Sequence, residues 1–351
     1  MRLQQRTPRM SISTKIKMFA VPLFAVAMLL EQGFKLQLSG YIPKDNIPDV
    51  LKKTENTSTS DDNSAVEILT IPMVRQSHNK SYAWFLNNKT EISDISYSSI
   101  PKVINKIFIQ HSGMMMYPSD MTPTLIEAHQ SWTTMNPGYQ LQYFDLSNCR
   151  EYLKTHFHPI FSRAFDCLQP YAAKADLFRA AVVFREGGWY SDWKQQCLED
   201  GLLDNLSSIG DNLVLFQGDP RYKRVQNALF GATPRHPMLA EVLKTILINV
   251  QSSNYDNNAW DTSSTGLFYR KFHELAKENM TSIEQNLVGK FALEKSWAYF
   301  VKGKKVALHT CNGCSSSNLR AHSWEKGNNY VDMFRGRQWY CPHAASLFEL
   351  Q

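Results

Sequence analysis

The sequence predicts an α/β sandwich built on a mostly parallel sheet. Strand-like runs and helical patterns alternate from residue 100 onward. A Gly-Gly pair joins the strongest helical pattern directly to a short aromatic strand. The 351 residues, 43% hydrophobic and 20% charged, can bury a sizeable core and have ordinary globular composition.

Arg2, Arg6, Arg9, Lys15 and Lys17 precede the first acid, so five of the six net positive charges lie in an N-terminal tail. The remainder is near neutral and has no basic stripe, which argues against nucleic acid as a partner. Met18–Leu30 is an uncharged apolar run of 13 residues, short for a spanning helix and suited to a signal core. Gly33, Phe34, Leu36 and Leu38 extend it, and no clear small-x-small cleavage site follows. This predicts a cytosolic tail over 1–17 and a signal anchor, or a signal peptide, over 18–38, with the rest of the chain luminal. Residues 39–98, rich in Ser, Thr, Asn, Asp and Lys, read as a stem or linker leading to a folded domain over 99–351.

Two features agree with a luminal body. Glycosylation sequons occur at Asn56, Asn79, Asn88, Asn205 and Asn279. The six cysteines, Cys149, Cys167, Cys197, Cys311, Cys314 and Cys341, form an even set able to pair in an oxidising compartment. Cys311-Asn-Gly-Cys314 lacks a second CxxC or a thioredoxin-like context, so it reads as structural.

Lys102–Gln110 is apolar and β-branched enough for a buried strand, and Met121–Trp132 follows as a helix. Asn136-Pro137-Gly138 signals a turn before a strand over Tyr139–Phe144. Glu151–Phe165 reads as short helices broken at Pro159. Pro170–Glu186 is the strongest helix, with Tyr171, Ala175, Phe178 and Val182 on one face. Gly187 fits its C-terminal cap and Gly188 a sharp turn into a strand at Trp189–Ser191. Asn212–Phe216 reads as a strand, and Leu239–Val250, Phe268–Ala276 and Met280–Leu287 as helices.

Asp176 and Arg179 lie three apart on the main helix, at the margin of its apolar face. Alone, the pair reads as a helical ion pair worth a few tenths of a kcal/mol. The following segment changes that reading, because Gly187-Gly188-Trp189-Tyr190-Ser191-Asp192 delivers Asp192 to a strand's carboxyl end. Open α/β sheets bind ligands there.

The chain resembles the family 32 glycosyltransferases, which include the initiation-specific α-1,6-mannosyltransferases and glycolipid sugar transferases. The resemblance rests on Ile100-Pro101-Lys102-Val103-Ile104, Ser131-Trp132, Asn136-Pro137 and Tyr171–Asp176 with Arg179. It continues through Gly187–Asp192, Asn227, Pro234, His236-Pro237, Thr265-Gly266 and His322-Ser323-Trp324, covering roughly 99–325 in order. It implies a GT-A (Rossmann-like, nucleotide-sugar-binding) fold and a single-pass type II Golgi membrane enzyme. Such an enzyme transfers a hexose, chiefly mannose from GDP-mannose, with retention to a glycan or glycolipid. By position, Asp176 and Arg179 hold hydroxyls of the donor sugar and ribose, Phe108 stacks on the nucleobase, and Tyr190 walls the donor site. Asp192 and Lys194 fall on the catalytic DxD-like motif, and His322 near the diphosphate. Phe108 serves equally well as a core aromatic, and of the two candidate wall residues Trp189 and Tyr190 one is expected to be core.

Lys194 departs from the pattern, since the family's second acid helps hold a divalent ion, Mn²⁺ or Mg²⁺. An ammonium removes one oxygen ligand and adds repulsion. Three readings stand open. Lys194 replaces the metal at the phosphates; or metal binds through Asp192 and His322; or the protein binds a sugar nucleotide without transferring it.

Overall fold

The computed structural model describes residues 82–87, 99–109, 123–218, 220–278, 282–292, 297–310, 328–342 and 344–348. The chain divides into two units, Met1–Asn63 and Ser64–Gln351, and all described residues belong to the second. The expected tail and anchor, most of the expected stem, Cys311, Cys314 and His322 lie outside the described residues. Among the described residues no helix is long and apolar enough to cross a membrane.

Among the described residues nine strands form one sheet: β1 (Val103–Ile107), β2 (Gln140–Phe144), β3 (Gly188–Ser191), β4 (Gln195–Cys197), β5 (Leu213–Gln217), β6 (Val225–Ala232), β7 (Leu287–Ala292), β8 (Ala298–Val301) and β9 (Lys304–His309). The helices are α1 (Pro123–Met135), α2 (Leu146–His156), α3 (Pro159–Cys167), α4 (Tyr171–Glu186), α5 (Leu202–Gly210), α6 (Pro237–Gln251), α7 (Ala259–Ser263), α8 (Thr265–Lys277), α9 (Ile283–Asn286) and α10 (Tyr330–Arg335). Their starts are chemically marked. Asp145 closes a capping box on α2, and His158 and His236 each accept a backbone N–H ahead of a first-turn proline on α3 and α6.

The strand order is β2-β1-β3-β6-β5-β7-β8-β9-β4. Five of its eight pairings are antiparallel, which corrects the expected mostly parallel sheet to a mixed one. The parallel pairs β1–β2 and β1–β3 belong to the half whose sequence alternates strand and helix patterns. The departures come from β6 to β9, where hairpin connections replace helical crossovers.

β3 and β4 are six places apart in this order, about 29 Å in a flat sheet. Residues 192–194 alone connect them, a link reaching at most about 14 Å. The sheet is therefore curled, bringing its last strand back beside its third. The concave side holds an inner core of Ile104, Trp132, Trp189, Phe216, Tyr299 and Val306, closed by α1 and α5. The outer face packs on α2, α3, α4, α6 and α8. Neighbours on β3 divide between the two cores: Trp189 faces the inner one and Tyr190 the outer.

Two fixings hold the frame. Tyr82–Asn87, inside the stretch expected to be stem, packs on the body through buried Phe85 and Leu86, and His158 N–H bonds Phe85 O at 2.8 Å. The apolar run Trp84-Phe85-Leu86 explains this, since the average polarity of the stretch hides it. A disulfide joins Cys167 to Cys341 across 174 residues of sequence. Cys149 and Cys197 are free and buried, so the expectation that the cysteines pair holds for only one pair among the described residues.

Gly187 and Gly188 turn the chain from α4 into β3 with φ of +69° and +88°. At Gly188 a Cβ would lie 2.7 Å from Val103 O, so the position excludes a side chain on both backbone and space grounds. Gly188→Ala is expected to lower unfolding stability by about 1–3 kcal/mol, read by urea denaturation. Cys341→Ser is expected to lower it by about 2–4 kcal/mol, and reductant should reproduce the loss in wild type but not add to it in the variant.

Candidate functional site

Asp192 leaves β3 with its N–H on Ala228 O at 2.8 Å, and Gln195 N–H returns to Asp192 O at 2.9 Å. Residues 192–195 thus form a tight turn at the carboxyl end of β3. The Asp192 side chain keeps 28% exposure there, among neighbours that are mostly buried.

α4 brings Asp176 and Arg179 to the same place, both buried. Arg179 Nη1 donates to Asn227 O at 2.8 Å and lies 3.4 Å from Asp192 Oδ1. Its Nη2 lies 3.4 Å from Asp176 Oδ1, and its plane rests 4.5 Å from the centre of the Tyr190 ring. One guanidinium therefore joins two acids that are well apart in sequence. Asp176 also accepts from Asn227 Nδ2 at 2.9 Å and Ser263 Oγ at 3.0 Å. Tyr190 OH donates to Asp192 Oδ1 at 2.5 Å.

Burial raises the Asp176 carboxyl to about 6, with Arg179, Ser263 and Asn227 holding it down only in part. At Arg179 burial opposes the charge, yet the Asp192 and Asp176 carboxylates beside it outweigh that and the group is pushed further up. Burial carries Tyr190 well above its usual value, so it stays a neutral hydroxyl donor to Asp192.

Beneath the turn lies Lys106 of β1, only 1% exposed. Its Nζ donates to Ser191 Oγ at 3.2 Å and Asp192 O at 3.3 Å, and lies 5.3 Å from the Trp132 ring centre. Burial pulls it down to about 7, against the opposing pull of Asp192 and Cys197. Ser191 Oγ donates onward to Gln195 Oε1 at 3.1 Å, and Gln195 Nε2 donates to Tyr299 OH at 2.7 Å. His309 Nε2 lies 3.4 Å from the same Gln195 nitrogen. Burial lowers His309, Asp192 pulls the other way, and Lys194 and Lys106 reinforce the lowering.

Asp176, Arg179 and Asp192 thus meet as one group. Tyr190 is buried beneath Arg179, so it supports Asp192 through its hydroxyl and is not an open wall. Phe108 follows β1 at the same end of the sheet, its half-buried ring 4.4 Å from that of Trp193. Lys194 is partly exposed, with its ammonium 5.7 Å from the Trp193 ring centre, and it makes no ion pair among the described residues. Sequence reasoning missed Lys106, Ser263, Gln195 and His309. Lys106 had a signal, since a charged residue inside a run read as a buried strand requires a partner.

Among the described residues no three His, Cys, Asp or Glu side chains gather into a possible metal cluster. The Asp192 carboxylate is engaged by Arg179 and Tyr190, and two lysines flank its turn. These residues do not fit Mn²⁺ or Mg²⁺, hard cations that want several free oxygens.

Residues 122–212 match the family described as the glycosyltransferase sugar-binding region containing the DXD motif. An uncharacterized glycosyltransferase of Acanthamoeba polyphaga mimivirus is 25% identical over 225 residues, 64% of this chain and 84% of that protein. The PaToxG glycosyltransferase structure overlaps 56% of this chain and 73% of its own, with 15% identity and a TM-score of 0.38. The catalytic domain of Clostridium novyi alpha-toxin overlaps 54% and 65%, with 10% identity and a TM-score of 0.28. The matched region spans α1 through α5 and contains Asp176, Arg179, Asp192 and Lys194. The sequence matches support a glycosyltransferase relationship for this chain.

Proposed function

We propose that the protein transfers a hexose from a nucleoside-diphosphate sugar to a hydroxyl of a glycan or glycolipid. The observation that carries this reading is the convergence of Asp176, Arg179 and Asp192 at the carboxyl end of β3. Two acids and a guanidinium fixed by buried hydrogen bonds suit the hydroxyls of a sugar and ribose, and preorganised charge suits a departing diphosphate. Phe108, beside Trp193, offers the nucleobase an aromatic face. The curled mixed α/β sheet agrees with the GT-A reading.

In the reaction, the anomeric carbon exchanges its bond to the β-phosphate oxygen for one to the acceptor oxygen. The nucleoside diphosphate departs with the bonding electrons, and the acceptor's proton passes to it. No protein nucleophile is required, in keeping with retention. The resemblance to family 32 enzymes favours mannose from GDP-mannose. The Cys167–Cys341 disulfide favours an oxidising compartment, and with the basic tail and apolar run it supports a type II protein facing the Golgi lumen.

Full-length protein in detergent, screened against nucleotide sugars for thermal stabilisation and then for transfer, tests the reading. GDP-mannose should give the largest shift and support transfer to mannosides. Asp176→Asn and Asp192→Asn should each cost about a hundredfold or more in turnover while keeping the fold. No turnover with any nucleotide sugar would sink the enzyme reading. Retained nucleotide binding in that case would assign a non-catalytic binding protein, the alternative that the lost acid at 194 keeps open.

A pH dependence follows from Asp176. Its ionised form accepts donor hydroxyls, and its carboxyl titrates at about 6 in the folded protein. Lowering pH through this value converts an acceptor into a donor and removes one counter-charge from Arg179. Accordingly kcat/KM should fall about tenfold per pH unit below about 6. The low activity of Asp176→Asn should lack this limb.

A further inference from the structure

We propose that this site holds the donor's diphosphate with protein ammonium groups in place of a divalent cation. Lys194 touches the phosphates, and the buried Lys106 acts from beneath the Asp192 turn. The inference rests on the sugar-transfer reading and deepens it by naming the charges that replace the metal.

Lys106 is the observation that leads here. Its ammonium is buried, yet among the described residues its hydrogen-bond partners are the Ser191 hydroxyl and the Asp192 carbonyl alone. Among the described residues no carboxylate stands within ion-pair distance of it. Buried charges are ordinarily paired, and breaking such pairs is costly. The acid it feels most is Asp192, whose carboxylate is already held by Arg179 and Tyr190. An anion seated on the 192–195 turn would favour the ammonium form of Lys106 over the neutral amine towards which burial pulls it.

Lys194 is placed to meet that anion. Its carbonyl is pinned by the Thr310 N–H at 3.0 Å and hydroxyl at 2.9 Å, while its four-carbon side chain carries an ammonium with no ion pair among the described residues. Arg179, Lys106 and Lys194 thus surround a turn with one partly exposed carboxylate. A dication placed there meets three cationic side chains and two carboxylates, Asp192 and Asp176, that Arg179 already holds, whereas a diphosphate meets the cations as its partners. Lys106 is a positioning residue in this scheme, acting through the turn and its field without touching the donor.

The test uses full-length protein, with GDP and UDP as probes in calorimetry and GDP-mannose in transfer assays, each with EDTA or with Mn²⁺. Wild type should bind and turn over in EDTA within about twofold of its value with Mn²⁺. Lys106→Gln keeps donor hydrogens without charge, and should lose about tenfold or more in diphosphate affinity while its Tm stays near wild type. Lys106→Arg should recover much of that affinity, which a purely space-filling role would not produce. Lys194→Asp, at a partly exposed position, should abolish binding in EDTA and restore it with Mn²⁺. Loss of wild-type binding in EDTA overturns the proposal while leaving the sugar-transfer reading intact. So does unchanged affinity in Lys106→Gln, or EDTA-resistant binding in Lys194→Asp should Lys106→Gln not fold. No binding of either diphosphate to wild type under both conditions overturns the donor-site reading itself.

Discussion

Everything at this site depends on the shortness of the passage from β3 to β4. Residues 192–194 carry the chain across a gap that a flat sheet would hold open, so the sheet curls and closes on an inner core. Asp192 occupies that passage, its N–H tied to β6 and its carbonyl to Gln195 and Lys106. The residue with the most exposed acid in the site is thus among the most constrained in backbone. Such constraint is what a binding or reacting group needs, because geometry fixed by the fold is not bought again at each binding event.

Arg179 turns that constraint into a site. Without it, Asp176 on α4 and Asp192 beyond β3 would be two acids from different layers with no common partner. Its guanidinium meets both and rests on Tyr190, while Asn227 of β6 accepts from it and donates to Asp176. Three elements are therefore coupled by one planar group, a task for which the fork of arginine suits better than a lysine ammonium. Burial makes the arrangement tense: Asp176 is raised and Lys106 lowered because both are withdrawn from water. The large aromatic cores on the two faces of the sheet offset such costs.

Legibility in the sequence followed the kind of signal each residue carries. α4 was plain, because its apolar face, its proline start and its Gly-Gly end agree, and Asp176 and Arg179 came with it. β1, β2, β3 and β5 were readable as apolar or aromatic runs. β6 hid because Asn227 and Gly231 interrupt its pattern; Gly231 is there because the Trp189 ring lies within 3 Å of where its Cβ would be. β8 and β9 form a hairpin at Lys302-Gly303, both at positive φ, and Lys-Gly is a weaker turn signal than Asn-Gly. The region read as a helix over Met280–Leu287 keeps only the single turn of α9 before β7 begins. These omissions explain why the sheet looked mostly parallel.

The same logic separates the site residues that were found from those that were missed. Asp192 was found because a local motif delivers it. Lys106, Ser263 and His309 were missed because each reaches the site from a strand or helix distant in sequence, and spacing says nothing about such meetings. Lys106 differs from the other two, since a lysine in a buried strand must find polar partners or give up its charge. Lys106 and the lysine at 194 meet at one turn. Read separately, the first is a costly core residue and the second a lost metal ligand. Joined at Asp192, they are the two ammonium groups that we propose hold a diphosphate in place of a cation.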